Sequence, residues 1–285
     1  MVRYSRNSHG LHMGRGGIVY VLSDLHWDNP HCDRKLLKKH LDKAEEDNAH
    51  VIIIGDLFCL MQGKYDPRRS KKDILPEHNK PNYLDVVVED AVEFFKPYAK
   101  NLALVSYGNH ETAIVKNVET DPLQRFVTLL NHECGTSVEL GGYGGWVTFR
   151  FDHGGGGQSK SMYYFHGSGG GGAVTKGVIQ NQRQMADTDG ADIIAMGHVH
   201  ELYTMWQSKK ALNGRFLPII RNVLHIRTGT YKDEHGDGFM GWHIERGAPA
   251  KPLGCVKLTF SFLRDRTKDA EFQRFIDVVP EMLTN

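Results

Sequence analysis

The first half of the chain alternates short apolar runs with amphipathic segments. The apolar runs cover 18–24, 51–56 and 101–110, and their β-branched residues are typical of buried parallel strands. Between them, 32–47 and 83–99 repeat apolar residues at helical spacing. A strand–helix–strand–helix–strand order at this spacing predicts a parallel α/β core.

From about residue 137 the pattern becomes rich in strands. Strand candidates follow one another at 141–152, 161–167, 192–200, 222–230 and 254–262. Helices are predicted at 119–133 and 173–187, and the tail at 271–283 fits either a closing strand or a short helix. We therefore predict an α/β protein with a core of two packed sheets and helices outside. The predicted organisation is a flexible lead-in over 1–17 and a single domain over 18–285.

Composition narrows the class of protein without identifying it. The 285 residues are 40% hydrophobic and 24% charged, with a formal net charge of +1, as in an ordinary soluble domain. No apolar stretch approaches the roughly 20 residues that span a bilayer, so no membrane partner is expected. The four cysteines show no paired spacing, which favours reduced thiols and a cytoplasmic location.

Metal-binding residue types stand at the ends of the predicted strands. They are Asp24, His26, Asp56, Asn109, His110, His166, His198 and His200. Because ligands collect at the carboxyl ends of strands in α/β sheets, these distant residues are expected to converge on one site. Oxygen and imidazole donors suit divalent ions such as manganese, iron, zinc or cobalt. Eight such residues exceed the needs of one ion, so two ions are expected.

A glycine run with a nearby lysine, FHGSGGGGAVTKG at 165–177, raises the alternative of a phosphate-binding loop for nucleotides. That loop requires glycine directly before the lysine and a hydroxyl residue after it. Lys176 instead follows Thr175 and precedes Gly177. The run is better interpreted as a strand end carrying His166, followed by glycines that shape the turn or leave the second metal open to approach.

The ordered motifs DLH (24–26), GD (55–56), GNHE (108–111), HG (166–167) and GHVH (197–200) resemble the signature of the calcineurin-like metallophosphoesterase superfamily. The sequence flanking the motifs, including SDLHWDNPHCDRK, MQGKYDPRRSK and GGYGGW, also resembles small metallophosphoesterases of bacteriophages and prophages. This resemblance implies a fold in which helices flank a two-sheet β-sandwich in α-β-β-α layers.

The resemblance also implies a role for each position. Asp24, His26, Asp56 and His200 would hold one ion; Asp56 would bridge to a second, completed by Asn109, His166 and His198. Manganese is expected first, with iron, zinc, cobalt, nickel and magnesium as alternatives. His110 matches the catalytic histidine, which would assist attack by a metal-bridging hydroxide. Cys59 stands where many members carry Asp or His to orient that histidine; we interpret it as a small buried residue.

The resemblance favours a phosphodiesterase, because GHVH has two histidines and no arginine follows the GD motif, unlike in the superfamily's protein phosphatases. A nuclease is one form of this activity, and in a phage-encoded protein the location would be the bacterial cytoplasm. A phosphomonoesterase is the alternative, and a non-catalytic scaffold a further one. Lys64, Arg68 and Arg69 lie in a basic segment after Asp56 and could bind an anionic substrate such as nucleic acid, or simply be solvated.

Overall fold

A computed structural model describes residues 1–60, 74–152, 158–239, 242–266 and 272–285. The strands are β1 Val2–Ser5, β2 Ser8–His12, β3 Gly16–Leu22, β4 His50–Ile54, β5 Leu102–Ser106, β6 Glu139–Gly141, β7 Gly144–Phe151, β8 Gln158–Phe165, β9 Ile193–Met196, β10 Leu202–Leu212, β11 Pro218–Thr228, β12 Gly254–Arg266 and β13 Phe272–Thr284. The helices are α1 Arg34–Glu46, α2 Tyr83–Phe95, α3 Asn109–Val118, α4 Pro122–Cys134, α5 Val178–Asp187 and α6 Trp242–Glu245.

The strands form two mixed sheets. One has seven strands in the order β1-β2-β7-β8-β9-β11-β10, and the other has six in the order β13-β12-β3-β4-β5-β6. The adjacent strands β3, β4, β5 and β6 are all parallel, as are β8, β9 and β11. Parallel strands end at the same edge of their sheet, so each sheet gathers several strand ends there.

Helices flank a core that lies between the two sheets. Apolar side chains of both sheets meet in this core, among them Val21, Ile54, Leu104, Tyr164 and Ile226. A second apolar cluster joins α1, α2 and α4 to the six-stranded sheet, and a third joins Met185 of α5 to β9. The predicted α/β fold, a two-sheet core with flanking helices, is thereby confirmed.

The N-terminal segment differs from the expected flexible lead-in, and that prediction is wrong for residues 2–12. They form β1 and β2, and β2 pairs in parallel with β7. The physical reason is burial: Leu11 joins the core between the sheets and the His9 side chain is fully buried. The single domain predicted over 18–285 stays a prediction.

Caps and glycines set the helix boundaries. The Asp33 carboxylate caps α1 by accepting the Leu36 backbone N–H, and the Asp121 carboxylate caps α4 in the same way. The helix predicted at 173–187 begins only at Val178, because Gly177 before it has a left-handed backbone, φ +78°. The tail forms β13, one of its two predicted forms. Within the described ranges, no helix is both long and apolar enough to cross a bilayer.

Candidate dinuclear metal centre

The eight predicted site residues all stand just after strands or at a helix start, as the sequence indicated. Asp24 and His26 follow β3, Asp56 follows β4, and His166 follows β8; His198 and His200 follow β9. Asn109 and His110 open α3 directly after β5. The structure brings all of these side chains together at one edge of the two sheets. Two of the groups they form contain an aspartate, and a third joins His110 to His26 and Cys59.

The first cluster consists of Asp24, His26 and His200. One ligand atom from each lies within 4.8 Å of the other two. His200 Nε2 is 3.3 Å from Asp24 Oδ1 and 3.3 Å from His26 Nε2. Both Asp24 and His26 are buried. A carboxylate oxygen and two imidazole nitrogens therefore converge in a place shielded from water.

The second cluster consists of Asp56, His166 and His198, again with ligand atoms within 4.8 Å of one another. Asp56 Oδ2 is 3.3 Å from His166 Nε2. Asn109 Oδ1 lies 3.1 Å from His166 Nε2 and 2.7 Å from His198 Nδ1. The Nδ1–H of His166 donates to the carbonyl of Ile54 at 2.9 Å, which directs Nε2 of the ring into the cluster.

The two clusters are contiguous. Asp24 of the first accepts the backbone N–H of His198 from the second at 2.8 Å. His110 lies between them, with its ring centroid 4.8 Å from that of His26 and its Nε2 3.9 Å from Asp56 Oδ2. Asp56 is thus near both groups, and its role as a bridge between two ions stays a prediction.

The donors fit divalent cations. Burial disfavours the charged form of His166, but Asp56 and Asp24 outweigh it and raise its pKa to about 10. Burial also opposes the charge on His200, and Asp24 with Glu234 raises its pKa to about 9. These carboxylates thus draw positive charge into a buried site. Anionic oxygens beside imidazole nitrogens are the donor set that borderline divalent ions prefer.

His110 is oriented by the backbone carbonyl of Cys59 and not by its side chain. His110 Nδ1–H donates to the Cys59 carbonyl at 2.5 Å. Asp28 fixes that carbonyl's loop by accepting the backbone N–H groups of Cys59 and Leu60 at 2.5 and 2.9 Å. Burial, with Asp28, raises the pKa of the Cys59 thiol to about 12, so this residue remains a neutral thiol, as predicted for a buried small side chain.

Glu111, the last residue of the GNHE motif, joins two of the strand-end loops. Its buried carboxylate accepts backbone N–H groups of Asp56 at 3.2 Å, Phe58 at 2.9 Å and Gly108 at 2.8 Å. Asp56 and Asn109 stand directly in those loops. Glu111 therefore fixes the backbone under the second cluster.

The sequence analysis did not identify Glu234, which lies behind His200. Glu234 Oε2 is 3.5 Å from His200 Nδ1, and Glu234 also pairs with Lys232 at 3.0 Å and contacts His243. A charged loop has no periodic pattern, and Glu234 is one of three acidic residues in the segment 229–238, so the sequence does not distinguish it from its neighbours.

The predicted substrate-binding residues Lys64, Arg68 and Arg69 lie outside the described residues. Trp27, directly after His26, is buried: its indole N–H donates to Asp90 at 3.0 Å and Arg34 stacks over its ring.

Residues 18–202 match the sequence model of the calcineurin-like phosphoesterase family. The chain therefore belongs to this family. Membership supports a metal-dependent phosphoric ester hydrolase at the general level, and the two His/Asp clusters agree with the family's use of divalent metal ions.

Several solved structures are similar to this chain at low sequence identity. Vps29 of Chaetomium thermophilum is 7% identical, with a TM-score of 0.35 over 94% of this chain and 98% of that one. A predicted phosphoesterase of Streptococcus pneumoniae is 12% identical, with a TM-score of 0.31 over 92% and 98%. GAP50, described as the anchor in the inner membrane complex of Plasmodium, is 11% identical, with a TM-score of 0.43 over 94% and 89%. No curated protein matches the chain significantly.

Proposed function

We propose that the protein is a dinuclear metal-dependent phosphodiesterase acting on a nucleic acid or nucleotide, with His110 assisting. The observation that supports this most directly is the pair of adjacent clusters, each with one aspartate and two histidines. Two metal sites side by side are a recurring arrangement for phosphate ester hydrolysis.

In this proposal Asp24, His26 and His200 hold one ion, and Asn109, His166 and His198 hold the other, with Asp56 shared. Manganese is the ion we expect first. When bound, the ions polarise the phosphate and activate a water molecule for attack on phosphorus. The chain keeps the ligands in place through contacts outside the clusters, such as the Ile54 carbonyl at His166 Nδ1.

His110 is proposed to donate a proton to the leaving oxygen. Since the Cys59 carbonyl accepts a hydrogen bond from Nδ1, the ring is held with Nε2 turned toward Asp56. Proton donation from a positioned imidazole typically contributes about 10²–10⁴ in rate.

The residues after Asp56 support a diester substrate. Leu57 and Phe58 are both fully buried apolar side chains, so neither supplies a cation beside Asp56. A monoester dianion carries one more negative charge than a diester and gains more from such a cation. The two histidines of GHVH favour the same conclusion.

The test compares hydrolysis of bis(p-nitrophenyl) phosphate with that of p-nitrophenyl phosphate in excess Mn²⁺. We expect diester cleavage to dominate, and Asp56→Asn to lower kcat/KM by roughly 10³-fold or more. Asp189→Asn, the same change in an exposed turn, should leave the rate unchanged. Preferred monoester cleavage would replace the proposal with a phosphomonoesterase. Inactivity on both esters with metals bound would favour the non-catalytic scaffold.

A further inference from the structure

A cavity of about 850 Å³ lies beside the second cluster. Tyr143 forms part of its wall, and the ring of this tyrosine packs edge-on against His166 with centroids 5.5 Å apart. Tyr107, two residues ahead of Asn109, forms another part. The cavity therefore borders the proposed metal centre through residues that are next to its ligands in sequence or in contact with them.

Both tyrosines are held in place by their hydroxyl groups. Tyr143 donates to the carbonyl of Gly167 at 2.7 Å, and Tyr107 donates to Asp121 at 2.5 Å. Their positions therefore do not depend on a ligand. Fixed aromatic side chains are the usual platforms on which nucleic-acid bases stack.

The β1–β2 turn adds polar groups to the same cavity. Arg3, Arg6 and Asn7 line it, facing Gln124 of α4. Arg3 forms an ion pair with Glu139 at 3.0 Å, so the two charges compensate each other. Arg6 forms no ion pair with a carboxylate among the described residues, so its charge is available to an anionic ligand.

We propose that this cavity binds the nucleoside part of a phosphodiester substrate. The inference rests on the proposed phosphodiesterase function and assigns the place where the nucleoside of its substrate binds. Tyr107 and Tyr143 offer stacking surfaces, Asn7 and Gln124 offer amide groups for the base edge, and Arg6 offers a cation for the sugar–phosphate backbone. The volume lies within the roughly 300–1,000 Å³ that ligand pockets usually have.

The test uses two diesters with the same leaving group, thymidine 5′-monophosphate p-nitrophenyl ester and bis(p-nitrophenyl) phosphate. Arg6→Ala should lower kcat/KM for the nucleoside ester by roughly tenfold, mainly through KM, because one charge-assisted contact is lost. It should leave the rate on bis(p-nitrophenyl) phosphate within about twofold. Gln124→Ala should cause a smaller loss in the same direction. Arg215→Ala, which removes an exposed arginine from the turn between β10 and β11, should change neither rate.

A binding measurement separates this inference from the proposed function. Thymidine 5′-monophosphate should bind the metal-free protein in a calorimeter, and Arg6→Ala should weaken that binding by a similar factor. If Arg6→Ala slows both diesters equally, or neither, the cavity is not a nucleoside site. If the wild type cleaves neither diester but binds the nucleotide through Arg6, the proposed function fails and the nucleoside site stands. If the wild type neither cleaves nor binds, both are overturned.

Discussion

Five of the seven predicted metal ligands have a left-handed backbone although none is glycine. They are Asp24, His26, Asp56, His198 and His200, with φ of 52°, 50°, 51°, 72° and 56°. Each such residue costs on the order of 1–3 kcal/mol and persists only where the surrounding structure determines it. Here the determining contacts include those of Asp24, whose N–H donates to the Gly55 carbonyl at 3.1 Å. The strain therefore lies where the side chains must converge.

At the residue scale, Gly108→Ala tests how closely the loops under the second cluster approach one another. A Cβ at Gly108 would lie 2.0 Å from Asp56 Oδ1 and 2.4 Å from the Asp56 backbone nitrogen. Since a backbone atom cannot move aside cheaply, Asp56 must shift. We expect kcat/KM on bis(p-nitrophenyl) phosphate to fall at least about 100-fold, and Mn²⁺ bound in equilibrium dialysis to fall toward one ion per chain.

Gly170→Ala is the matched control for that change. No atom lies within 4 Å of a Cβ at Gly170, and its φ is not left-handed, so activity and metal content should stay unchanged. The run from Gly167 to Gly177 is thus not uniform: Gly169 and Gly172 have the left-handed φ that favours glycine, and Gly170 does not. Wild-type metal content in Gly108→Ala would contradict the expected shift of Asp56.

At the element scale, Arg227 of β11 joins three parts of the chain. Its fully buried guanidinium donates to the carbonyls of Gly197 and Gly177 and to Asn181 Oδ1. Gly197 directly precedes His198, and Gly177 precedes α5. This arginine therefore holds the end of β9 and the start of α5 to β11.

Arg227→Met should leave those acceptors buried without a donor. We expect the free energy of unfolding to fall by about 3–5 kcal/mol in urea denaturation, and Mn²⁺ to bind more weakly because His198 loses its support. Arg221→Met, at an exposed position of the same strand, should change stability by less than about 0.5 kcal/mol. Equal stability of the two variants would rule out the supporting role of Arg227.

The elements also show which parts of the fold a sequence pattern can predict. The run 51–54 is apolar throughout and is followed by Gly55 and Asp56, so both the strand and the metal ligand after it could be predicted. The pairing of β2 with β7 could not, because partners such as His9 and Val147 are far apart in the chain and residues 8–10 are polar or glycine. Glu234 was missed for a related reason: only the folded chain places this loop acid 3.5 Å from His200.

At the scale of the whole molecule, two histidines of the site carry protons that a bound metal ion must displace. His166, with a pKa of about 10, and His200, with a pKa of about 9, are protonated at neutral pH in the metal-free protein. Both values lie above the ordinary 6.5 of an unfolded histidine. The stability they contribute is therefore fully present below about pH 6.5 and is lost as pH rises through about 9–10.

Metal affinity should depend on pH in the opposite direction. Ligand imidazoles must be neutral to bind, so Mn²⁺ binding at pH 7.5 should release about two protons, one from each of these histidines. The affinity for each ion should then rise by up to roughly tenfold per pH unit between pH 7 and 9. Calorimetric titration in two buffers of different ionisation enthalpy counts the protons, and thermal melts at the same pH values follow the stability. Glu234→Gln removes one cause of the raised pKa of His200 and should release fewer protons. If wild-type binding releases no protons and its affinity is flat across this range, His166 and His200 are not ligands that exchange protons for metal.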